Sequence, residues 1–257
     1  YSNQWGFMLM LTGFYKLLFA LGVTQTFFPL ALTQAVLYIF GVRAILRIAE
    51  RLSGAKGRLM TMLMLACCLP LWLAAAVLYT DTFSLPFIAM ALDLALRVKD
   101  AAHPRARFAL SARCSLVVLI GCQIKMTALI ALIAAAIVWL LTMKPRQSVV
   151  CILLSAALVG GGTAVVQRYM KYEVLDPAMV EQHHTPTIHW IMMSIPTGDN
   201  PYGGATGDYG ITWGMMEDGA SRADIMDSIY ARMKDRIYAL RYPNRLAEAA
   251  LRKNSAF

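Results

Sequence analysis

The tetrad Tyr79-Thr80-Asp81-Thr82 sets one carboxylate between two apolar runs. Upstream lies Leu59 to Leu78, about the 20 residues that cross a bilayer core, and downstream the shorter Leu85 to Leu96. A carboxylate at the lip of two membrane helices is costly unless solvated or paired, which marks it as functional. Asp81 reads equally as the cap of the next helix at a wet hairpin turn. In the functional reading it would hold a hydroxyl, orient an acceptor or bind a divalent cation. Lys125, in Ile124-Lys125-Met126-Thr127, interrupts an apolar run from Phe108 to Met143. A compact ammonium at the bilayer edge suits a lipid phosphate, and it also suits a snorkelling anchor. Asn3 and Gln4 add amides at the start of the chain.

His183, His184 and His189 are the remaining candidates. A zinc site needs three or four convergent ligands. Adjacent His183 and His184 diverge on regular structure and no cysteine joins them, so no metal site is expected. His189-Trp190 at an interface offers a hydrogen bond and a stacking face to a ring, or simply packs. The Gly-rich stretch Asn200 to Gly210 lacks both Gly-x-Gly-x-x-Gly and Gly-Lys-Ser/Thr. It is expected to precede no helix and to form a loop, not a phosphate cradle.

The elements that position these residues are membrane helices. The chain has 257 residues, is 58% hydrophobic and carries a net charge of +9, and its mean hydropathy is +0.55. The basic residues cluster between apolar runs: Arg43, Arg47, Arg51, Lys56 and Arg58; Arg97, Lys99, Arg105 and Arg107; Lys144 and Arg146. The positive-inside rule places all three clusters on the cytoplasmic side, which argues against nucleic acid as a partner. All five cysteines lie in apolar runs without Cys-x-x-Cys spacing, so neither a disulfide framework nor a zinc site is expected. The sequence has neither a start Met nor a signal peptide, and reads as part of a longer chain.

Six spans are predicted: Thr26 to Ala44, Leu59 to Leu78, Leu85 to Leu96, Phe108 to Ile124, Thr127 to Leu141 and Val149 to Val166. An interfacial helix over Phe7 to Val23 precedes them, with Trp5, Tyr15 and Lys16 at headgroup level. Asp93 and Arg113 either pair across a hairpin, or Arg113 snorkels to the headgroups. The expected fold is thus an all-α membrane bundle over residues 1–167. Residues 168–257 form a mixed, mostly loop and helical extracytoplasmic segment, with a helix over Ser221 to Leu240 opened by a Ser221/Asp224 capping box. Asn3, Gln4, Asp81, Lys125 and the segment His183 to Trp213 then share the outer face.

In order along the chain, Tyr1-Ser2-Asn3-Gln4-Trp5-Gly6, Tyr79-Thr80-Asp81-Thr82, Ile124-Lys125-Met126-Thr127, His189-Trp190-Ile191-Met192-Met193 and the loop Gly203-Gly204-x-x-x-Asp208 resemble bacterial polytopic glycosyltransferases of the GT-C fold, akin to the protein O-mannosyltransferase-like family. Relatives carry Tyr-Pro-Asn-Asn/Gln-x-Gly and Lys-Pro-Thr where this chain has Ser2 and Met126 for proline, changes that affect backbone stiffness more than chemistry. The resemblance implies transfer of a sugar from a polyprenyl-phosphate carrier to a glycan or protein acceptor at the outer face of the plasma membrane. It places Asn3 and Gln4 beside the cavity and Lys125 near the carrier phosphate. Asp81 and Tyr79 would line the pocket, and His189 and Trp190 would sit in the segment closing over it. The family's usual catalytic base belongs to a first external loop, expected before Tyr1, which leaves Asp81 as the candidate carboxylate here. The transition state would be oxocarbenium-like, with a carboxylate activating the acceptor hydroxyl and cations steadying the leaving phosphate. A divalent cation is compatible with the site; no other cofactor is implied. A transporter or flippase of lipid-linked glycans, or a polymerase or ligase of surface polysaccharide, are the alternatives. A transporter usually shows internal repeats and mid-membrane polar breaks, and no repeat is visible.

Overall fold

The computed structural model describes residues 4–175, 185–195 and 206–240, and every regular element among them is helical. The chain divides into two compact units, residues 3–170 and a second built from residues 171 onward.

In the first unit, α1 (Trp5–Ala20) is followed by α2 (Phe27–Cys67), α3 (Leu69–Ala76), α4 (Thr80–Asp100) and α5 (Pro104–Ile124). A 3₁₀ turn, Met126–Ala128, leads into α6 (Leu129–Thr142), and α7 (Pro145–Tyr169) continues as a π turn, Met170–Val174. Proline in the first turn opens α3, α5 and α7, where its missing N–H has no helical partner to lose.

Three of these helices are long and apolar enough to cross a membrane: α2, α5 and Pro145–Val174. Leu69–Ala75 and Thr80–Asp100, bent by 112°, make a fourth if taken as one broken span. This differs from the six predicted spans. Thr26 to Ala44 and Leu59 to Leu78 are not separated by a loop, because the Arg-, Ala- and Leu-rich stretch between them favours helix. One 41-residue helix runs from Phe27 to Cys67 and breaks at Gly54, whose φ of 68° is open to glycine at little cost. Leu85 to Leu96 lies within α4, a helix weighed down by Asp81, Asp93, Arg97, Lys99 and Asp100. Thr127 to Leu141 lies within the short apolar segment Met126–Thr142, below the length that spans a bilayer core unaided.

The spans wear their apolar side chains outward: Leu32, Ile39, Phe40, Leu63, Met64, Leu116, Leu153 and Val165 are all exposed. Water would not tolerate so large a contiguous apolar surface, and lipid does. Inside, contacts are made by small residues. Ala91, Ala95, Cys114, Ala131, Ala135 and Cys151 form one cluster around Trp139, which lets the helix backbones approach closely. Trp139 Nε1 donates to the Ala95 carbonyl at 3.0 Å, and Ser115 donates to Ser155 at 2.7 Å, joining α5 to α7. Gly41 sets the spacing of α2 on α4, since a Cβ there would lie 3.0 Å from Pro86 Cα.

A second cluster, Leu30, Phe83, Phe87 and Ile124, receives Phe7, Leu11, Phe14 and Tyr15 of α1. The other end of the unit gathers the basic clusters. Arg51 pairs with Asp100, and Arg107 donates to Gln147 and, at 2.8 Å, to the Ala101 carbonyl. Asp93 is 3% exposed. It binds Arg97 at 2.6 Å and lies 3.6 Å from Arg47 and 3.7 Å from Arg51. Of the two readings of Arg113, the pair with Asp93 is not formed: Arg113 is exposed on α5, and Arg97 of α4 with Arg47 and Arg51 of α2 supply the cations.

In the second unit, α8 (Thr187–Ser194), α9 (Thr206–Glu217) and α10 (Arg222–Leu240) pack around Met192, Met216, Ile225 and Ile229. Ser221 Oγ accepts the Asp224 N–H at 3.2 Å and donates to its carboxylate at 2.6 Å, which is the capping arrangement read from the sequence. The stretch Asn200 to Gly210 does lead into a helix, contrary to expectation. Thr206 to Gly210 form the first turn of α9, and residues 200–205 lie outside the described residues.

Candidate functional site

At the N-terminus of α4, Asp81 is the second helical residue and half-exposed, with Lys125 Nζ 2.5 Å from its Oδ1. Lys125 ends α5 in an extended conformation, and its ammonium also lies 5.4 Å from the centre of the Tyr79 ring. Three of the residues singled out in the sequence thus meet at one point, brought together by the start of one helix and the end of its neighbour.

Asp81 is not the cap. Thr82 takes that role: its Oγ1 receives the Tyr79 N–H at 3.3 Å and lies 2.7 Å from the carbonyls of Val77 and Tyr79. Gln34 of α2, fully buried, brings its Nε2 within 2.9 Å of the Val77 carbonyl, 3.2 Å of Ala74 O and 3.2 Å of Thr82 Oγ1. The carbonyls freed at the break between α3 and α4 are thereby satisfied inside the bundle, as an apolar surround requires. Gln34 was missed in the sequence, although a lone amide in a span is a visible signal.

Gln4 precedes α1 and caps nothing with its side chain. Its helix nonetheless reaches the same end of the unit. Phe7 and Phe83 rings lie 5.4 Å apart, and a Cβ on Gly6 would clash with the Gln123 side chain. Asn3, His183 and His184 lie outside the described residues, as does the side chain of Trp190. Lys125 and the basic clusters stand at opposite ends of the same helices. α4 and α5 have 21 residues each, so at about 1.5 Å per residue their ends are about 30 Å apart, the thickness of a hydrocarbon core.

Of the two readings of His189, ring contact or packing, its position in the second unit agrees with packing. His189 is fully buried, so it presents no face to an external ring. Its Nδ1 lies 3.0 Å from Thr212 Oγ1, which also accepts from Arg232 Nη2 at 2.9 Å. The Thr212 hydroxyl, one donor with two acceptor lone pairs, thus bridges the His189 ring and the Arg232 guanidinium. Asp208, buried, holds Arg232 at 3.6 Å and pairs with Arg236, which donates to the Met192 carbonyl at 2.8 Å. The network ties α8, α9 and α10 together. Arg232 and Arg236 are one turn apart on α10, but their partner Asp208 sits in a segment read as loop, so the cluster was not legible in the sequence.

Burial lowers the His189 pKa from its ordinary value; Arg232 and Arg236 push the same way and Asp208 opposes them. The unfolded chain therefore binds a proton that the folded unit refuses. The stability this contributes is present above about pH 6.5 and is lost as pH falls below that value. Amide-exchange protection in α8 and α9 is expected to decline between pH 7.5 and 5.5, and His189→Gln to flatten that decline. Protection that does not change with pH in the wild type would contradict the assignment.

Among the described residues, no three His, Cys, Asp or Glu side chains gather as metal ligands. The cysteines there are all free, with Cys67 and Cys68 exposed and Cys114, Cys122 and Cys151 buried.

No curated protein and no solved structure matches the chain. Residues 27–207, more than two thirds of the chain, match a family model described as a conserved hypothetical integral membrane protein. The outward apolar surface, the candidate spans and this match agree, and the chain belongs to that integral membrane protein family.

Proposed function

We propose that the protein is an integral-membrane glycosyltransferase of the plasma membrane. It would move a sugar from a polyprenyl-phosphate carrier to an acceptor on the outer face. The observation that supports this most is the Asp81–Lys125 pair beside Tyr79, at the end of the helices opposite the arginines. Without substrate the two charges satisfy each other. An arriving carrier phosphate competes for the Lys125 ammonium, a compact cation suited to it, and releases the Asp81 carboxylate to accept a hydrogen bond. The bond from the anomeric carbon to the phosphate oxygen breaks, with the phosphate's growing charge steadied by Lys125. The acceptor oxygen bonds the same carbon and its proton passes to a carboxylate, for which Asp81 is the candidate.

A flippase for the same lipid-linked glycan is the second reading. It is favoured by the bend between α3 and α4, with buried Gln34 seated on the freed carbonyls, since transporters build sites at broken helices. Membrane vesicles containing the full-length protein and labelled polyprenyl-phosphate sugar separate the two. Label on an acceptor is the expected result, whereas label crossing the bilayer with its carrier unchanged would replace the enzyme by the flippase.

A further inference from the structure

At the arginine end of the first unit a cavity of about 270 Å³ opens between α2 and α4. The charged groups facing it are Arg43 and Arg47 of α2 and Asp93 and Arg97 of α4. Three guanidinium groups against one carboxylate leave an excess of two positive charges. Asp93 lies deep, its Oδ2 bonded to Arg97 and 3.6 Å from Arg47; its buried Oδ1 has no hydrogen-bond partner among the described residues and lies 3.7 Å from Arg51 Nε. It orients these cations but neutralises only one of them. Arg43 is exposed and forms no ion pair among the described residues, and Arg97 Nε is buried with no acceptor there. A planar donor group awaiting an acceptor, beside two more, is the arrangement that binds phosphate oxygens in pairs.

The remaining walls say what carries the phosphate. Phe40, Leu94 and Val117 line the cavity. Phe40 is 50% exposed and continues the outward apolar face of α2 with Ile39. The cavity is thus reached sideways from lipid as well as from water. Its volume falls just below the range of about 300–1,000 Å³ that encloses whole small ligands, so it takes a headgroup while acyl chains lie outside along Phe40. Basic pockets between helices at a membrane surface hold anionic lipid headgroups for these reasons. We infer that this cavity binds the phosphate headgroup of an anionic phospholipid, a site about 20 Å along α4 from Asp81 and independent of the sugar-transfer reading.

The test uses the full chain, stripped of lipid in detergent, with bound lipid counted by native mass spectrometry. Phosphatidylglycerol and phosphatidylcholine vesicle lipids are the probes, and inorganic phosphate is the competitor. Phosphatidylglycerol should be retained at least about tenfold more tightly than phosphatidylcholine, the size of one charge-assisted hydrogen bond. R43E, which breaks no ion pair among the described residues, should erase that preference. R146E, exposed at the same end but outside the cavity, should leave it intact. Equal retention of both lipids by the wild type overturns the proposal even if a variant fails to fold. An equal loss in R146E would assign the preference to the general surface charge and overturn it too. Displacement of phosphatidylglycerol by equimolar inorganic phosphate would make the ligand a free phosphate and overturn the lipid assignment.

Discussion

Asp81→Asn and Lys125→Ala are each expected to cut sugar transfer by at least about 10²-fold while leaving the protein in the membrane at wild-type levels. The magnitude follows from losing one positioned acid–base group or one charge-stabilising donor, each of which contributes about 10²–10³ or more in rate. Unfolding cannot produce that loss. The pair is half-exposed on the Asp81 side, and ion pairs in that setting contribute about 0–1 kcal/mol to stability. The double exchange Asp81→Lys with Lys125→Asp separates structure from chemistry. It rebuilds the attraction and should not restore transfer, because the cation would then sit where the carboxylate belongs. Wild-type rates in either single variant would remove both residues from the site.

Asp93→Ala carries the largest expected effect on stability. A carboxylate that is 3% exposed holds three arginines from two helices, and deleting one partner of a buried ion pair costs about 3–5 kcal/mol. The arginine side chains keep 31–39% of their surface in solvent, which puts the expected loss near the lower figure, about 3 kcal/mol. Asp93→Asn keeps an acceptor for Arg97 and should cost less. Unfolding midpoints of the purified variants in detergent check the ranking. Arg113→Ala serves as the comparison: a loss equal to that of Asp93→Ala would restore the α4–α5 pair that the structure does not form.

What could be read from the sequence was what local chemistry controls. Lys125 ends a helix where an apolar run is interrupted, and Ser221 with Asp224 announces α10. The meeting of Asp81 with Lys125 was legible because charges avoid the bilayer core and so collect at its edges. Other features depend on contacts between distant residues. The basic cluster from Arg43 to Arg58 was expected to separate two spans, yet its residues favour helix and only Gly54 breaks the geometry. Asp93 found Arg47 and Arg51 across the bundle, although Arg97, one turn away on its own helix, was in plain view. For His189 the sequence left interfacial contact and packing both open. Its burial is decided by Thr212, Arg232 and the core of Met192 and Ile229, none of which is near it in sequence apart from Met192.

The central claim is that the Tyr79–Asp81–Lys125 end and the arginine end of the helices face opposite sides of the membrane, with the first outside. Thiol labelling in intact cells tests it most directly. In a background with Cys67 and Cys68 replaced by Ser, a cysteine is placed at exposed Tyr79 or at exposed Arg105. Tyr79→Cys should react with a membrane-impermeant maleimide in intact cells, and Arg105→Cys only after permeabilisation. Labelling of both from the same side, or of Arg105→Cys alone in intact cells, would contradict the account.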